Sequence, residues 1–285
     1  MATILKGSDV VAALDQQIIK EVAALGKKGI VPTLAIVRLG QRSDDLSYER
    51  GAWKRAKEVG VGVRQVVLPV DVSEALLLET IEALNADNLI HGVLLLRPLP
   101  PHINDEKVRN VLAARKDVDG IGNQSLAGVL SGSAIGYAPC TAQACMEILR
   151  HYQIELEGKR AVVIGRSLVV GKPVALLLLG QDATVTLCHS RTVDLPLIVR
   201  SAQIVISCMG CAQMVDASYL SAGQVVIDVG TNITDSGVLV GDVNFDAAQA
   251  IVSALTPVPG GVGTVTTSIL MKHVVTAACD LSSTR

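Results

Sequence analysis

Short apolar runs alternate with longer amphipathic segments along most of the chain, and this alternation limits the possible folds more than any other feature. In the first half the runs are Thr33–Leu39, Val63–Leu68 and Gly92–Leu96. The segments with helical periodicity that separate and follow them are Ser47–Val59, Ser73–Leu84 and Asn104–Ala114. Gly60 is predicted to end the first of these helices, and Ser73 is predicted to cap the second. Strands that alternate with helices in this way predict an α/β fold, with a mostly parallel sheet covered by helices.

The second half shows the same alternation with shorter apolar runs. These runs are Ala161–Ile164, Ala183–Leu187, Ile204–Ser207 and Gln224–Val229, and Ala161–Ile164 leads directly into a glycine. Their order is typical of a Rossmann-type nucleotide-binding domain. A final helix-like segment, Thr266–Leu281, follows them.

A stretch of weak periodicity, Gly120–Tyr137, separates the two halves and is rich in Gly, Ser and Ala. We interpret it as a connecting loop, after which Ala142–Tyr152 is predicted to be helical. The sequence therefore predicts two domains with a cleft between them: an N-terminal α/β domain of residues 1–138 and a Rossmann-type domain of residues 139–265. The C-terminal helix, residues 266–285, is predicted to pack back on the first domain.

Composition excludes several classes of function. The hydrophobic share of 49% is enough for a substantial core, and the net charge of −2 without a basic block gives no basis for a nucleic-acid partner. Lys6, Asp9 and Asp15 interrupt the start of the chain, where a signal peptide would need an apolar run. No apolar run is long enough to cross a membrane. We therefore predict a cytoplasmic protein with neither nucleic acid nor membrane as a partner.

The six cysteines are scattered, which in a cytoplasmic chain indicates buried structural thiols. Cys208 and Cys211 do form a Cys-x-x-Cys pair. A zinc site would require a second such pair or suitably spaced histidines, and the sequence has neither. We therefore predict no metal site.

A glycine turn, Gly165–Gly171, lies between a predicted strand and a predicted helix. Such a turn brings the backbone close to a phosphate, and the helix that follows offers unpaired N–H groups to the same anion. The spacing differs from the usual Gly-x-Gly-x-x-Gly, so a plain strand–helix turn is an equally good interpretation of this segment alone.

Charge near the turn favours NADP as the cofactor, with NAD possible. An NAD site usually has a carboxylate after the second strand, but the stretch Leu187–Thr192 contains none. Arg166 and Arg191 carry guanidinium groups of the kind that bind a 2′-phosphate. The alternative is that both arginines are solvated surface charges.

Several segments closely resemble the methylenetetrahydrofolate dehydrogenase/methenyltetrahydrofolate cyclohydrolase family. The most specific reads Thr-Pro-Val-Pro-Gly-Gly-Val-Gly, at Thr256–Gly263. The other matching segments are Lys116–Gly120, Pro139–Thr141, Val162–Pro173, Thr184–Thr192, Val226–Asn232 and Gly241–Val243. They occur in the family's order across nearly the whole chain.

The resemblance implies oxidation of 5,10-methylenetetrahydrofolate with NADP, hydrolysis of the methenyl product in many members, and a homodimer. It also implies that Tyr48 packs on the folate and that Asp119 hydrogen-bonds its pterin ring, the two residues that we take as catalytic candidates. The candidates for lining the substrate cleft are Pro259, Gly260 and Gly261. The candidates for contacting the nucleotide are Gly165, Arg166, Ser167, Ser190, Arg191 and Thr231.

The chain departs from the family pattern at the hydrolytic positions. The family has Tyr-x-x-x-Lys, with the lysine central to hydrolysis, but here the lysine position after Tyr48 holds Ala52. The glutamine of Val-Gln-Leu-Pro, which supports that lysine, is replaced by Leu96. The other replacements in motifs around the cleft are Ala142, Thr264 and Val265.

Neighbouring residues offer few substitutes for the lysine. On a helix, Lys54 would face away from Ala52, and Arg55 does not release its proton. Glu49 would lie on the same face as Ala52, either as a catalytic group or as a solvated helix charge.

We therefore predict a dehydrogenase whose cyclohydrolase activity is weak or absent. The alternatives are an ordinary bifunctional enzyme, an enzyme for a different one-carbon carrier, and a non-catalytic binding protein.

Overall fold

The computed structural model describes residues 2–283, which form two compact units. The six-stranded unit, named for its sheet, contains residues 2–12 and Thr141–Thr266. The three-stranded unit contains Ala13–Cys140 and residues 267–283. The helices are α1 (Gly7–Gly26), α2 (Ser43–Val59), α3 (Glu74–Ala86), α4 (Asp105–Val111), α5 (Asn123–Ser131), α6 (Cys140–His151), α7 (Gly171–Leu179), α8 (Leu195–Arg200), α9 (Phe245–Gln249) and α10 (Val262–Ser283).

The strands are β1 (Thr3–Ile4), β2 (Thr33–Leu39), β3 (Gly62–Leu68), β4 (Gly92–Leu95), β5 (Arg160–Ile164), β6 (Thr184–Cys188), β7 (Ile204–Ser207), β8 (Val225–Asp228), β9 (Asn232–Ile233), β10 (Leu239–Val240) and β11 (Ala254–Leu255). Short 3₁₀ turns occur at Ala114–Lys116 and Ala217–Tyr219. The α/β fold class predicted from the sequence is confirmed.

In the three-stranded unit, the strands pair in parallel in the order β3-β2-β4. The central strand β2 is buried along nearly its whole length, as expected for a parallel strand covered on both faces. Its side chains pack with Leu77 and Ile81 of α3 and with Val108 of α4 in one apolar core. The sheet therefore fixes the ends of the loops that follow β2 and β4.

Local sequence explains where the helices of this unit begin and end. The Ser73 side chain caps α3 by accepting a hydrogen bond from the N–H of Leu76 at 3.3 Å, as its chemistry predicted. Helix α2 ends at Gly60, which takes a left-handed conformation with φ of 81°. The same helix begins at Ser43, four residues before the predicted start, with Asp44 and Asp45 in its first turn.

In the six-stranded unit, the strands are ordered β1-β11-β8-β7-β5-β6, and all the pairs between them are parallel. The chain runs from β5 to β6 on one side and then crosses to β7 on the other side of β5. The crevice at the carboxyl ends of β5 and β7 is therefore the switch point at which doubly wound sheets bind ligands.

The N-terminal segment differs from the predicted domain boundary. Residues 2–12 belong to the six-stranded unit because β1 pairs with β11, with Thr3 opposite Ala254. The sequence pattern predicts instead that they belong to the first domain, residues 1–138. Two residues of apolar strand are too short a signal to reveal this pairing.

The stretch Gly120–Tyr137 is not only a loop, because it contains α5. The Asp117 carboxylate precedes this helix and accepts hydrogen bonds from the N–H groups of Ile121 and Gly122, at 3.1 and 2.8 Å. It also accepts one from the Ser125 hydroxyl at 2.5 Å. The helix thus depends on a buried carboxylate outside the segment, which explains why local periodicity did not indicate it.

One helix among the described residues, α10, is long and apolar enough by length and composition to cross a membrane. Its mean hydropathy is 1.2 over Val262–Leu281, but 61% of this stretch is buried inside the structure. A core helix meets the same test, so the finding is weak evidence for a membrane span.

Candidate active site

Tyr48 and Asp119 of the three-stranded unit lie close enough for their charges to interact. Tyr48 keeps 36% of its surface exposed. Its pKa is nevertheless raised well above the ordinary value by burial, and further by the negative charge of Asp119 and then by that of Cys140. The two residues predicted to hold the folate therefore share one environment with a third residue, Cys140.

Asp119 lies half-buried in the turn after the 3₁₀ segment Ala114–Lys116. Burial and, to a smaller extent, the charge of the nearby Asp117 carboxylate raise its pKa to about 7, against the opposing effects of a hydrogen bond from the Cys140 thiol and the charge of Arg97. A carboxyl group with this pKa exchanges protons near neutral pH, which suits hydrogen bonding to a pterin ring in either protonation state.

Beside Asp119, a buried thiol and a buried imidazole converge on one backbone oxygen. The Val118 carbonyl accepts hydrogen bonds from the Cys140 thiol at 3.3 Å and from Nδ1 of His273 at 2.8 Å. Burial lowers the pKa of His273 to about 4, so the ring is neutral at physiological pH. It packs against the Tyr137 ring with a centroid distance of 4.8 Å. The turn carrying Asp119 is thus held from α6 and α10, which sequence analysis did not foresee.

In the six-stranded unit, the glycine turn after β5 is required by close backbone packing. Gly165 has φ of +125°, and a Cβ atom there would lie 2.3 Å from the carbonyl oxygen of Cys208. A Cβ at Gly171 would lie 2.0 Å from the carbonyl oxygen of Gly165. Only glycine fits at both positions, so the sequence signal reflects real steric limits.

The turn opens onto a cavity of about 300 Å³ at the carboxyl end of the sheet. The cavity is lined by Gly165, Arg166, Ser167 and Ser190, four of the residues predicted to contact a nucleotide, together with His189 and residues after β7. Within residues 2–283, the N–H groups of Arg166 and Ser167 donate to no backbone carbonyl. These donors and the start of α7 match the phosphate-binding geometry of a dinucleotide site.

Arg166 and Arg191 are both exposed, and within the described part of the chain neither guanidinium has a carboxylate partner. Arg166 lines the cavity, whereas Arg191 follows it on the loop after β6. This loop is shaped by His189, whose Nδ1 accepts a hydrogen bond from the N–H of Arg191 at 3.1 Å. Both cations are free to meet a phosphate.

Two buried carboxylates that sequence analysis did not single out as functional shape the loops around this cavity. Asp242 accepts hydrogen bonds from the N–H groups of Met209 and Cys211, at 2.7 and 2.9 Å, and from the Asn232 side chain at 3.0 Å. Asp228 accepts bonds from the N–H groups of Gly230 and Asp242 at 2.9 and 3.0 Å. The available signals were a carboxylate at the end of the apolar run that forms β8, for Asp228, and a Gly-Asp pair directly after β10, for Asp242.

The predicted nucleotide contact Thr231 is exposed within one of these loops, between β8 and β9. The predicted cleft residues Pro259, Gly260 and Gly261 form the turn between β11 and α10. Pro259 and Gly260 are exposed, and the Gly260 carbonyl accepts a hydrogen bond from the N–H of Gly7 at 2.8 Å. The turn is therefore anchored within its own unit and presents its outer residues to solvent.

Comparison with known proteins identifies the family. Residues 5–119 match the catalytic domain of tetrahydrofolate dehydrogenase/cyclohydrolase, and residues 139–282 match the NAD(P)-binding domain of the same family. The bifunctional protein FolD of Clostridioides difficile is 47% identical over 282 residues, which cover 99% of this chain and 98% of that protein.

Two solved structures are similar over nearly their whole length. The bifunctional FolD of Campylobacter jejuni has a TM-score of 0.96 at 35% identity and covers 98% of this chain and 99% of its own. The Trypanosoma brucei FolD, solved with NADP cofactor and inhibitor, has a TM-score of 0.92 at 37% identity and covers 100% of this chain and 99% of its own. The chain belongs to the tetrahydrofolate dehydrogenase/cyclohydrolase family.

Within this FolD-type scaffold, Ala52 lies on the buried face of α2, one turn after Tyr48. Ala52 has 0% of its surface exposed and belongs to a stripe with Asp45, Glu49 and Ala56. Leu96, directly after β4, is buried with 6% exposed. Both positions at which the resemblance implies a polar group are therefore apolar and closed to water.

Glu49 takes neither of the two roles considered from the sequence. It is buried with 3% of its surface exposed and accepts hydrogen bonds from Nε of Arg38 at 2.8 Å and from Gln65 at 2.6 Å. It is neither a solvated helix charge nor a free carboxylate, because both of its oxygens have partners. The interpretation of Glu49 as a catalytic substitute is therefore not supported by the geometry.

The two basic candidates on α2 are also unsuited to replace the missing amine. Lys54 is exposed, on the side of the helix away from Ala52, as predicted. Arg55 forms ion pairs with Asp15 at 2.6 Å and with Glu58 at 2.9 Å. Among the described residues of α2, no amine lies on the buried face beside Ala52.

Three other predicted departures lie in the six-stranded unit. Ala142 of α6 and Val265 of α10 are fully buried, whereas Thr264 is half-buried. The N–H of Thr264 donates to the carbonyl of Gly261 at 3.1 Å. These residues pack or cap their own helices, and their side chains bring no new ionisable group.

Proposed function

We propose that this protein oxidises 5,10-methylenetetrahydrofolate to 5,10-methenyltetrahydrofolate with NADP, and that its cyclohydrolase activity is weak or lost. The dehydrogenase half of the proposal is supported by the cavity at the glycine turn, which is lined by Arg166 and by backbone N–H donors. Arg191, on the loop after β6, adds a second guanidinium that has no carboxylate partner among the described residues. This half is further supported by the NADP complex of the T. brucei relative. NAD stays an alternative cofactor, to be compared in the same assay.

Hydride transfer makes few demands on ionisable side chains. The methylene carbon loses a hydride, with both bonding electrons, to the nicotinamide ring, and the folate product is a resonance-stabilised cation. No proton has to be removed, so the protein contributes positioning and exclusion of water. Tyr48 and Asp119 are suited to holding the pterin for this step, because the first offers a partly exposed ring and the second a carboxyl group in the same environment.

Hydrolysis of the methenyl product, unlike hydride transfer, requires a general base. A water molecule must be deprotonated as it attacks the cation, and the loss of such general-base assistance typically costs about 10²–10⁴-fold in rate. The single observation that carries the proposal is Ala52, which occupies the buried face of α2 one turn from Tyr48. The described neighbours that could replace an amine are committed to ion pairs or face solvent.

A pair of assays on one purified sample tests the proposal. The first follows NADP reduction with 5,10-methylenetetrahydrofolate, and the second follows decay of methenyltetrahydrofolate above the buffer rate. We expect reduction without accelerated decay. Strong decay would contradict the loss of cyclohydrolase activity and would turn attention to Asp119, whose pKa of about 7 suits proton transfer. Neither activity would favour a changed one-carbon substrate or a binding role.

A gain-of-function variant gives the sharper test. The double substitution Ala52→Lys with Leu96→Gln restores both groups that the family pattern implies, so we expect methenyl hydrolysis to rise by about 10²-fold or more. The matched control is Gly51→Lys, which adds the same amine one residue earlier, where a Cβ atom meets nothing within 4 Å. A double variant that folds and binds folate yet hydrolyses the methenyl compound no faster than the control would contradict the proposal that Ala52 accounts for the weak cyclohydrolase activity.

We further propose that the protein works as a cytoplasmic homodimer, as the family resemblance implies. Light scattering during gel filtration tests the dimer. A mass of twice the 29.8 kDa chain would support it, and the mass of a single chain would contradict it.

A further inference from the structure

The sequence predicts two structural thiols in the Cys-x-x-Cys pair, but its second member is not buried. Cys211 is the exposed one among the six cysteines, and within residues 2–283 none of the six is in a disulfide. Cys140, Cys145 and Cys188 are buried, and the remaining two are half-buried. Among the described residues, the one hydrogen-bond partner of the Cys211 thiol is the carbonyl oxygen of Met209, at a long 3.9 Å. It is therefore available to react.

Both thiols of the pair line the cavity that also contains Gly165, Arg166 and Ser167. They lie on the loop directly after β7, whose carboxyl end meets that of β5 at the switch point of the sheet. The loop is held in place because the N–H of Cys211 donates to Asp242 at 2.9 Å. A group attached to Cys211 would consequently stay in or beside the cavity.

The charge around Cys211 suits an anionic reagent. Arg166 and His189 line the cavity, and none of the described residues that line it carries a carboxylate. The nearest acid, Asp242, is fully buried, and its oxygens are occupied by N–H groups of the same loop. An anion that enters the cavity therefore meets a guanidinium and free backbone donors, the same features that suit a phosphate.

We propose that Cys211 is a thiol-exchange site through which a small anionic disulfide blocks the nucleotide cavity; this inference rests on the proposed NADP site. The Cys211 sulfur attacks one sulfur of the reagent, the reagent's S–S bond breaks, and a mixed disulfide forms on Cys211. The thiol proton of Cys211 ends on the released reagent thiol. The reagent is itself the oxidant, so no other redox partner is required.

The first cysteine of the pair explains why the mixed disulfide persists. The Cys208 thiol donates to the carbonyl of Ile164 at 3.3 Å and packs under Gly165. Burial, aided by the charge of Asp242, raises the pKa of Cys208 to about 12. Since the thiolate is the attacking species, Cys208 is slow to displace the reagent and to form an internal disulfide.

The experiment uses glutathione disulfide as the anionic probe, with peptide mass analysis and calorimetric NADP binding as separate readouts. We expect one adduct, on Cys211, and NADP binding weakened at least about tenfold, which is about 1.4 kcal/mol. Dithiothreitol should restore binding, and NADP added first should slow adduct formation. Cys211→Ser, or Cys211→Ala if the first variant folds poorly, should acquire no adduct. Cys279→Ser, altered at a half-buried thiol in the other unit, should react as the parent does.

Three results would overturn the inference: an adduct that forms mainly on other cysteines, an adduct on Cys211 that leaves NADP affinity unchanged, or adduct formation that bound NADP does not slow. Failure of the NADP proposal is recognised separately, because unmodified protein would then bind no NADP. In that case an adduct confined to Cys211 still supports the exchange site, and adducts spread over the other cysteines still overturn it.

Discussion

The buried ion pair between Arg38 and Glu49 provides the most direct stability test of how α2 is held. Only 9% of the Arg38 side chain and 5% of the Glu49 side chain are exposed, and Nε lies 2.8 Å from Oε2. Glu49→Ala removes the charge partner of a buried guanidinium, whose remaining bond within residues 2–283 is the one to the Gly40 carbonyl. It also removes the acceptor of the Gln65 amide. Breaking a buried pair from one side costs about 3–5 kcal/mol, so we expect a loss of that size.

A double variant separates the ion pair from simple loss of packing. In Arg38→Leu with Glu49→Leu both charges are gone, which is often neutral or stabilising by about 1–4 kcal/mol. The unpaired Gln65 amide then costs about 1–3 kcal/mol, so we expect a net stability close to that of the parent. The matched control is Glu58→Ala on the same helix, whose carboxylate is 43% exposed and pairs with Arg55. An exposed pair contributes about 0–1 kcal/mol.

The assay is urea unfolding followed by tryptophan fluorescence. Trp53 is the single tryptophan of the chain, and it lies on α2 beside Arg38 and Glu49, lining the same surface cavity. Its signal therefore reports the environment of this helix. A loss of less than about 1 kcal/mol in Glu49→Ala, no larger than that of the exposed control, would refute the reasoning. So would a double variant whose loss of stability equals the sum of the losses measured for Arg38→Leu alone and for Glu49→Leu alone.

Three further predictions follow from the site. Burial raises the pKa of Asp119 to about 7, so the folded state binds more protons than the unfolded state, and this group's contribution to stability falls as pH rises from about 4 to about 7. The free energy of unfolding of Asp119→Asn, measured across this range, should therefore increase relative to that of the parent as pH rises. A difference that does not change with pH would contradict the raised pKa. Gly165→Ala should abolish NADP binding, because the added Cβ atom would clash with Cys208. The control is Gly158→Ala, where φ is +70° and the added Cβ atom would meet nothing within 4 Å. This control should lose only about 1–2 kcal/mol of stability and should still bind NADP. Arg191→Ala should weaken NADP binding roughly 10–100-fold, since a charge-assisted hydrogen bond contributes about 1.5–3 kcal/mol, and should leave NAD binding nearly unchanged. Equal effects on the two nucleotides would show that Arg191 does not contact the 2′-phosphate.

The regular framework of both units could be predicted because its signals are local. Strand β2 has the predicted bounds, Thr33–Leu39, and the Ser73 cap and the Gly60 terminus were also foreseen. Apolar periodicity, a capping hydroxyl and a glycine each act within a few residues of the element that they define. The glycine turn at Gly165 could be predicted in the same way, because a glycine between a strand and a helix indicates a turn too tight for a side chain.

The features that sequence analysis missed depend on partners far along the chain. Helix α5 follows a turn organised by the Asp117 carboxylate, and Glu49 is paired with Arg38, eleven residues earlier on a strand. Spacing within a segment does not reveal such partners. One signal was present: Arg38 interrupts an otherwise apolar strand that is buried on both faces, and a charge in that position needs a counter-charge.

The ion pair also bears on whether α2 could shift to bring Lys54 into the position of Ala52. Successive residues of a helix are about 100° apart, so moving Lys54 to that position requires a rotation of about 200°. The same rotation would carry Glu49 out of its pairing with Arg38 and leave a buried guanidinium without a counter-charge. The two contacts that hold Glu49 thus keep Tyr48 beside Asp119 and Lys54 in solvent. An α2 whose rotation is fixed in this way supports the assignment of Ala52, rather than Lys54, to the lysine position of the family.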